Sequence, residues 1–316
     1  MATDTEIKSL MGPGLPEGLS QFGMFKWGKK NLPKDPKISF AGKKVLVTGS
    51  NTGLGYAAAL KFAALGASKL ILAVRTPSKG EDAKQKIINE THCDAANLIV
   101  MKLDQGSYDS IRVFAKELRT KVDTLDVALL NAGVGAPKYT INEATGWEIA
   151  LQTNIISTAL VAILIMPLLK HSAAKTGQPS QLTLTSSLGH KFVKAEDIRT
   201  APGESLLKKL SSREYFNPEK CYGVIKLITE YMKVGLVNDY SKNENGEVDV
   251  YINSACPGYC KTDLGRDFPW YVSYPTKLIQ AYIGRTAEEG SRSLVSATLL
   301  GKVGHAKFWT NDTIVE

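Results

Sequence analysis

Three observations in this 316-residue sequence predict an α/β fold, a single doubly wound parallel sheet with helices on both faces. Short apolar, β-branched runs alternate with longer helical stretches from Lys43 to Leu300. A glycine-rich turn, Thr48-Gly49-Ser50-Asn51-Thr52-Gly53-Leu54-Gly55, follows the first apolar run. Far downstream, Tyr222 and Lys226 stand one helical turn apart. Strands separated by helices of these lengths need right-handed crossovers, and those build a parallel sheet covered on both sides.

The elements follow in order. Residues 1–40 are punctuated by Gly and Pro and read as an N-terminal arm without sustained periodicity. Its basic and aromatic stretch, Met24 to Lys30, has no long amphipathic helix around it, so it is expected to pack on the domain rather than on a membrane. Residues 41–316 form the domain. Val45–Val47 reads as a buried strand, and Gly53–Leu65 as an Ala-rich helix closed by Gly66. Leu70–Val74 is a strand, and Pro77–Glu90 a charged helix with Pro in its first turn. Leu98–Leu103, Val127–Leu130, Leu182–Thr185 and Val248–Ser254 read as further strands. Between and after them, Ser107–Val122, Gly146–Lys170, Pro218–Tyr240 and Ala287–Leu300 read as helices.

Composition narrows the function. The net charge of +8 is scattered along the chain, so no nucleic-acid partner is expected, while an anionic cofactor or substrate would suit it. Four cysteines make no disulfide framework, and Cys256 and Cys260 lack the spacing of a zinc knuckle, so no metal is expected. The longest apolar run, Ala159–Leu169, is too short to span a bilayer and carries Pro167. With no apolar stretch of signal-peptide length in the first 40 residues, a cytoplasmic location is expected.

The glycine turn lies where sheets of this kind bind ligands, beyond the carboxyl end of a strand. Glycines there let the backbone approach a pyrophosphate, and the next helix offers N–H groups at its positive dipole end. Tyr222 and Lys226 add acid-base chemistry. A free phenol titrates near 10, too high for an efficient proton catalyst at neutral pH, and a nearby ammonium favours the phenolate.

Together these stretches resemble the short-chain dehydrogenase/reductase family over roughly residues 42–300, in family order. Beside Thr48 to Gly55 the resemblance rests on Leu103-Asp104, Asn131-Ala132-Gly133, Asn154, Ser186-Ser187, Tyr222-x-x-x-Lys226 and Pro257-Gly258-x-x-x-Thr262. It implies a Rossmann-type fold. It also implies a catalytic set of Asn154, Ser187, Tyr222 and Lys226. In this reading Tyr222 exchanges a proton with the carbonyl or alcohol oxygen and Ser187 polarises that oxygen. Lys226 binds the nicotinamide ribose and lowers the Tyr222 pKa, and Asn154 holds a relay water. The implied cofactor contacts are Gly49, Ser50, Asn51, Thr52, Gly53, Leu54 and Gly55 in the turn. Asp104, Gln105, Asn131, Ala132, Gly133, Tyr222, Lys226, Pro257, Gly258 and Thr262 complete them.

The second strand ends Ala73-Val74-Arg75, without the acidic residue common in members that prefer NAD, and Lys79 follows. A guanidinium pairs with a 2′-phosphate in two-pronged fashion, so the expected cofactor is NADPH/NADP+. The long interval from Ser187 to Tyr222 is similar to the retinol-dehydrogenase-like branch, and similar chains occur as tailoring reductases in fungal secondary metabolism. Two segments, near 189–217 and 263–285, are expected to shape the substrate site. They carry Phe192, Tyr215 and Phe216, then Phe268, Trp270, Tyr271 and Tyr274, which favours a bulky apolar carbonyl or alcohol substrate. Isomerisation or C=C reduction on the same fold, or a non-catalytic NADP-binding regulator, stay open, as does a homodimer or homotetramer.

Overall fold

In this computed structural model of the chain, residues 2–261 and 280–315 are described. The chain enters through two arm helices, α1 (Asp4–Leu10) and α2 (Gln21–Lys30). The alternating body follows: β1 (Lys44–Thr48), α3 (Gly53–Ala64), β2 (Lys69–Val74), α4 (Pro77–Thr91), β3 (Leu98–Lys102), α5 (Tyr108–Lys121) and β4 (Val127–Leu130). A short α6 (Ile149–Leu151) leads into α7 (Ser157–Thr176), then β5 (Ser180–Thr185), α8 (Ala195–Ile198) and α9 (Leu206–Leu210). The chain finishes with α10 (Pro218–Tyr240), β6 (Val250–Cys256), α11 (Ala287–Ala297), α12 (Gly301–Gly304), β7 (Phe308–Thr310) and β8 (Thr313–Val315).

The strands form one eight-stranded sheet in the order β3-β2-β1-β4-β5-β6-β7-β8, parallel as far as β7. The order reverses between β1 and β4, which opens a crevice at the carboxyl ends. Side chains alternate across a strand. Val45 and Val47 therefore pack with Phe62 of α3 and Leu294 of α11, while Leu46 packs with Phe114 of α5 and Ile165 of α7. Burial on both faces is why β1, β2 and β4 read as continuous apolar runs rather than alternating ones.

The structure corrects the sequence reading at three places. Residues 1–40 hold two helices: Thr3 and Glu6 form a capping box on α1, and Ser20 caps α2. The helix read from Gly146 to Lys170 starts at Ile149, passes through a π turn at Gln152–Ile156, and runs to Thr176, with Gly177 left-handed at its end. It is long and apolar enough to cross a membrane, yet 67% of its apolar window is buried inside the fold. Third, β7 and the antiparallel β8 lie beyond the last element read from sequence. Asn311 and Asp312, both at positive φ, make the tight turn joining them.

Candidate active site

The crevice is built from the ends of β1, β4, β5 and β6. Where β1 ends, the chain turns at Gly49, whose φ is +66°, and again at Gly53, at +58°, before entering α3. The turn is closed against its neighbours. A Cβ on Gly55 would stand 2.2 Å from the Gly49 carbonyl oxygen and 2.6 Å from Asn131 Nδ2. At Gly53, by contrast, a Cβ would meet nothing within 4 Å, so this side of the turn is open. A backbone cradle open at the start of a helix suits an anionic pyrophosphate.

Thr48 fastens this turn to the next strand. Its Oγ1 accepts the backbone N–H groups of Asn131 and Ala132, each at 3.0 Å, and Asn131 Nδ2 donates to the Thr48 carbonyl. Gly133 lies beside Asn154, and Asn154 is held from both ends of its amide. Its Oδ1 accepts from Val134 N–H at 2.8 Å and its Nδ2 donates to the Val134 carbonyl at 2.9 Å. Asn154 sits inside the π turn, a feature that concentrates at functional sites.

At the end of β5, Ser187 Oγ accepts the Gly189 N–H at 3.1 Å, and the Tyr222 ring packs beside the same glycine. Tyr222 and Lys226 lie on one face of α10, with Lys226 Nζ 5.8 Å from the Tyr222 ring centroid and 3.0 Å from the Thr185 carbonyl it donates to. Asn217 caps α10 and Pro218 occupies its first turn, so the helix start that positions both residues is defined locally. Ser187, Tyr222 and Lys226 thus lie together at the end of β5, while Asn154 is held at the end of β4.

A family profile described as short chain dehydrogenase matches residues 43–193. The short-chain dehydrogenase/reductase ffsI of Aspergillus flavipes is 43% identical over 93% of this chain and 84% of its own length. A second fungal relative, phmF of Phaeosphaeria nodorum, is 42% identical over 92% of this chain and 83% of its own. The chain belongs to the short-chain dehydrogenase/reductase family. Solved structures share the fold: the NADP complex of RhlG from Pseudomonas aeruginosa has a TM-score of 0.61 at 21% identity, covering 87% of this chain and 96% of that one. L-sorbose reductase from Gluconobacter frateurii, complexed with NADPH and L-sorbose, has a TM-score of 0.62 at 16% identity, covering 87% and 96%.

As a short-chain dehydrogenase/reductase, the protein is a nicotinamide-dependent oxidoreductase acting on a CH–OH or C=O group. Its residues fit such a cofactor at the turn, where glycine is demanded on the closed side and space is left on the other. The other sequence candidates are placed less uniformly. Asp104 Oδ1 accepts the Gly106 N–H at the edge of the crevice. The Gln105 side chain turns inward and donates to the Thr153 carbonyl and Thr158 Oγ1, so no side-chain contact with a cofactor is open to it. Leu54 packs into the core and Ser50 is fully buried. Arg75 and Lys79 are exposed just past β2. Pro257 and Gly258, at +82°, turn the chain after β6. Thr262 lies outside the described residues, as do Phe268, Trp270, Tyr271 and Tyr274. Among the described residues, no three His, Cys, Asp or Glu side chains group as metal ligands.

Two findings run against the sequence reading. Tyr215 and Phe216 pack inward, Phe216 edge-on to Tyr139 and Tyr215 through its hydroxyl to the Asp197 carbonyl, which leaves Phe192 as the exposed ring of that segment. The electrostatics of the pair is the second. Burial pushes the Tyr222 phenol up to about 12, against the hydrogen bond from Ser187, and burial pulls Lys226 down to about 8. The Tyr222 ring keeps 38% of its surface exposed to an incoming substrate. The protein's own groups keep the phenol protonated at neutral pH. Sequence reasoning also passed over Cys256, whose Sγ accepts the N–H groups of Leu188 and Gly258 and joins the two turns that border the cleft.

Proposed function

We propose that this enzyme is an NADPH-dependent reductase of a ketone or aldehyde on a bulky apolar metabolite, running in reverse as an alcohol dehydrogenase. One observation carries the reading: Ser187, Tyr222 and Lys226 meet in a single cleft beside an open glycine turn. The fungal relatives fit a role among tailoring reductions of secondary metabolites.

Arg75, exposed and without a carboxylate partner among the described residues, would hold the 2′-phosphate, with Lys79 one turn on. The backbone from Gly49 to Gly55 would cradle the pyrophosphate, and Asp104 and Asn131 would border the nucleoside. When bound, the nicotinamide supplies the hydride. Tyr222 gives its phenolic proton to the carbonyl oxygen as negative charge develops there. The Gly189 N–H occupies a lone pair of Ser187, and on substrate binding the Ser187 proton would turn from Tyr222 to the same oxygen. Lys226, charged below about pH 8, would stabilise the resulting phenolate and hold the ribose, and Asn154 would hold the water that returns a proton to Tyr222.

The test is oxidation of NADPH and of NADH against a panel of small aliphatic and polycyclic ketones, with product masses. Consumption of NADPH with a gain of two hydrogens on a carbonyl supports the reading. A product of unchanged mass would instead mark an isomerase, and reduction of a C=C bond would show in the product structure. Tyr222→Phe should lower turnover by about 10²–10⁴-fold while NADPH binding is retained.

A further inference from the structure

The arm helix α2 is bound to the cleft more firmly than surface packing requires. Arg285, only 1% exposed, sends Nε and one terminal nitrogen to the Gly28 carbonyl at 3.0 and 2.6 Å, and that same nitrogen to the Asn31 carbonyl at 2.9 Å. These carbonyls close the last turn of α2, the negative end of its dipole. The other terminal nitrogen donates to the Pro257 carbonyl at 3.2 Å, while the nitrogen that reaches Gly28 and Asn31 donates to Asn311 Oδ1 as well. A buried guanidinium that spends its donors on carbonyls ties the arm to the turn after β6. Phe25 then stacks on Tyr259, with centroids 4.5 Å apart and planes 18° apart. Leu15 and Met24 pack against the cluster of Leu188, the residue after Ser187, with Phe308 and Cys256, whose Sγ holds the amides of Leu188 and Gly258.

We propose that α2 is a positioning element of the active site, setting through Met24 and Phe25 the placement of the Ser187–Leu188 and Pro257–Tyr259 turns between which the carbonyl substrate sits. The part concerning substrate rests on the reductase reading above. The arm lies more than 150 residues before Ser187 in sequence, yet it backs the two turns that border the candidate catalytic groups. A rigid apolar backing narrows the cleft for a large apolar ketone and matters little to a small one.

The experiment compares the full-length wild type with Phe25→Ala, Phe25→Leu and Phe25→Tyr by amide hydrogen exchange and by kinetics. In Phe25→Ala, exchange should quicken about tenfold at Leu188 and at Gly258–Cys260, with β1 to β3 unchanged. KM for polycyclic ketones should rise about tenfold, with kcat and the constants for small ketones within about twofold. Phe25→Tyr should restore both readouts. Exchange that quickens throughout the sheet, or at neither turn, overturns the proposal, as does an equal KM change for small and large ketones. If Phe25→Ala does not fold, Phe25→Leu, which keeps volume without a flat ring, is judged by the same criteria. A wild type that reduces no carbonyl would overturn the reductase reading, while the exchange data would still decide whether α2 positions the turns.

Discussion

Gly55→Ala probes the turn where sequence and structure agree most closely. The added methyl would lie 2.2 Å from the Gly49 carbonyl oxygen and 2.6 Å from Asn131 Nδ2, distances at which something must move. The nearer obstacle is backbone, held by the Gly49 N–H to the Ala73 carbonyl at 2.8 Å, and Asn131 is pinned to Thr48. Overpacking costs about 1–3 kcal/mol in general, and obstacles that cannot swing aside place this case near about 3. At about 2 °C per kcal/mol for a chain of this size, the melting temperature should fall by about 6 °C. NADPH binding, followed by fluorescence titration, should weaken at least about tenfold, or about 1.4 kcal/mol. Gly53→Ala is the control. Its φ is +58° but its Cβ space is empty, so only the backbone strain of about 1 kcal/mol applies, or about 2 °C. A Gly55→Ala protein as stable as wild type, binding NADPH normally, would refute the argument that this turn is closed by contact and cradles the pyrophosphate.

Three further outcomes are expected. Arg75→Ala should weaken NADPH by about 1.5–3 kcal/mol, the worth of hydrogen bonds to a charged group, and leave NADH unchanged; equal losses by titration calorimetry would make Arg75 structural. Thr48→Val keeps the shape but strips the acceptor from two amides at a site 2% exposed, so chemical denaturation should show a loss of about 2–4 kcal/mol, and a loss near zero would mean the amides find other partners. The pH profile of ketone reduction should fall as pH rises through about 8: Lys226 is lowered from 10.5 and loses its charge there, while the raised phenol of Tyr222 stays protonated. A profile flat to pH 10 would show that the Lys226 charge is not used.

What was legible in the sequence is what depends on neighbours in the chain. Strands β1, β2 and β4 are buried on both faces along almost their whole length, so each stands out as an apolar run whatever its partners. Helix α10 was readable from Pro218 to Tyr240 because Asn217 and Pro218 start it locally. Helix α2 was not: it owes its place to Arg285, Tyr259 and Leu188, residues far along the chain, whereas α1 carried a local start signal in Thr3 and Glu6 that the reading missed. Strands β7 and β8 have three residues each, below the length at which a pattern forms, although Asn311-Asp312 was a turn signal in plain view.

The site divides along the same line. Glycines and the Tyr222–Lys226 pair are visible because turn geometry and helical spacing are local demands. The sign of their electrostatics is not local. Spacing alone says that an ammonium lowers a phenol, and it omits that the same walls desolvate both groups. In the folded protein burial dominates, raising Tyr222 and lowering Lys226 together. A phenol held protonated beside a cation is poised to give up a proton once negative charge appears on a bound oxygen. Taking a proton from an alcohol would instead require the phenolate first, against the burial.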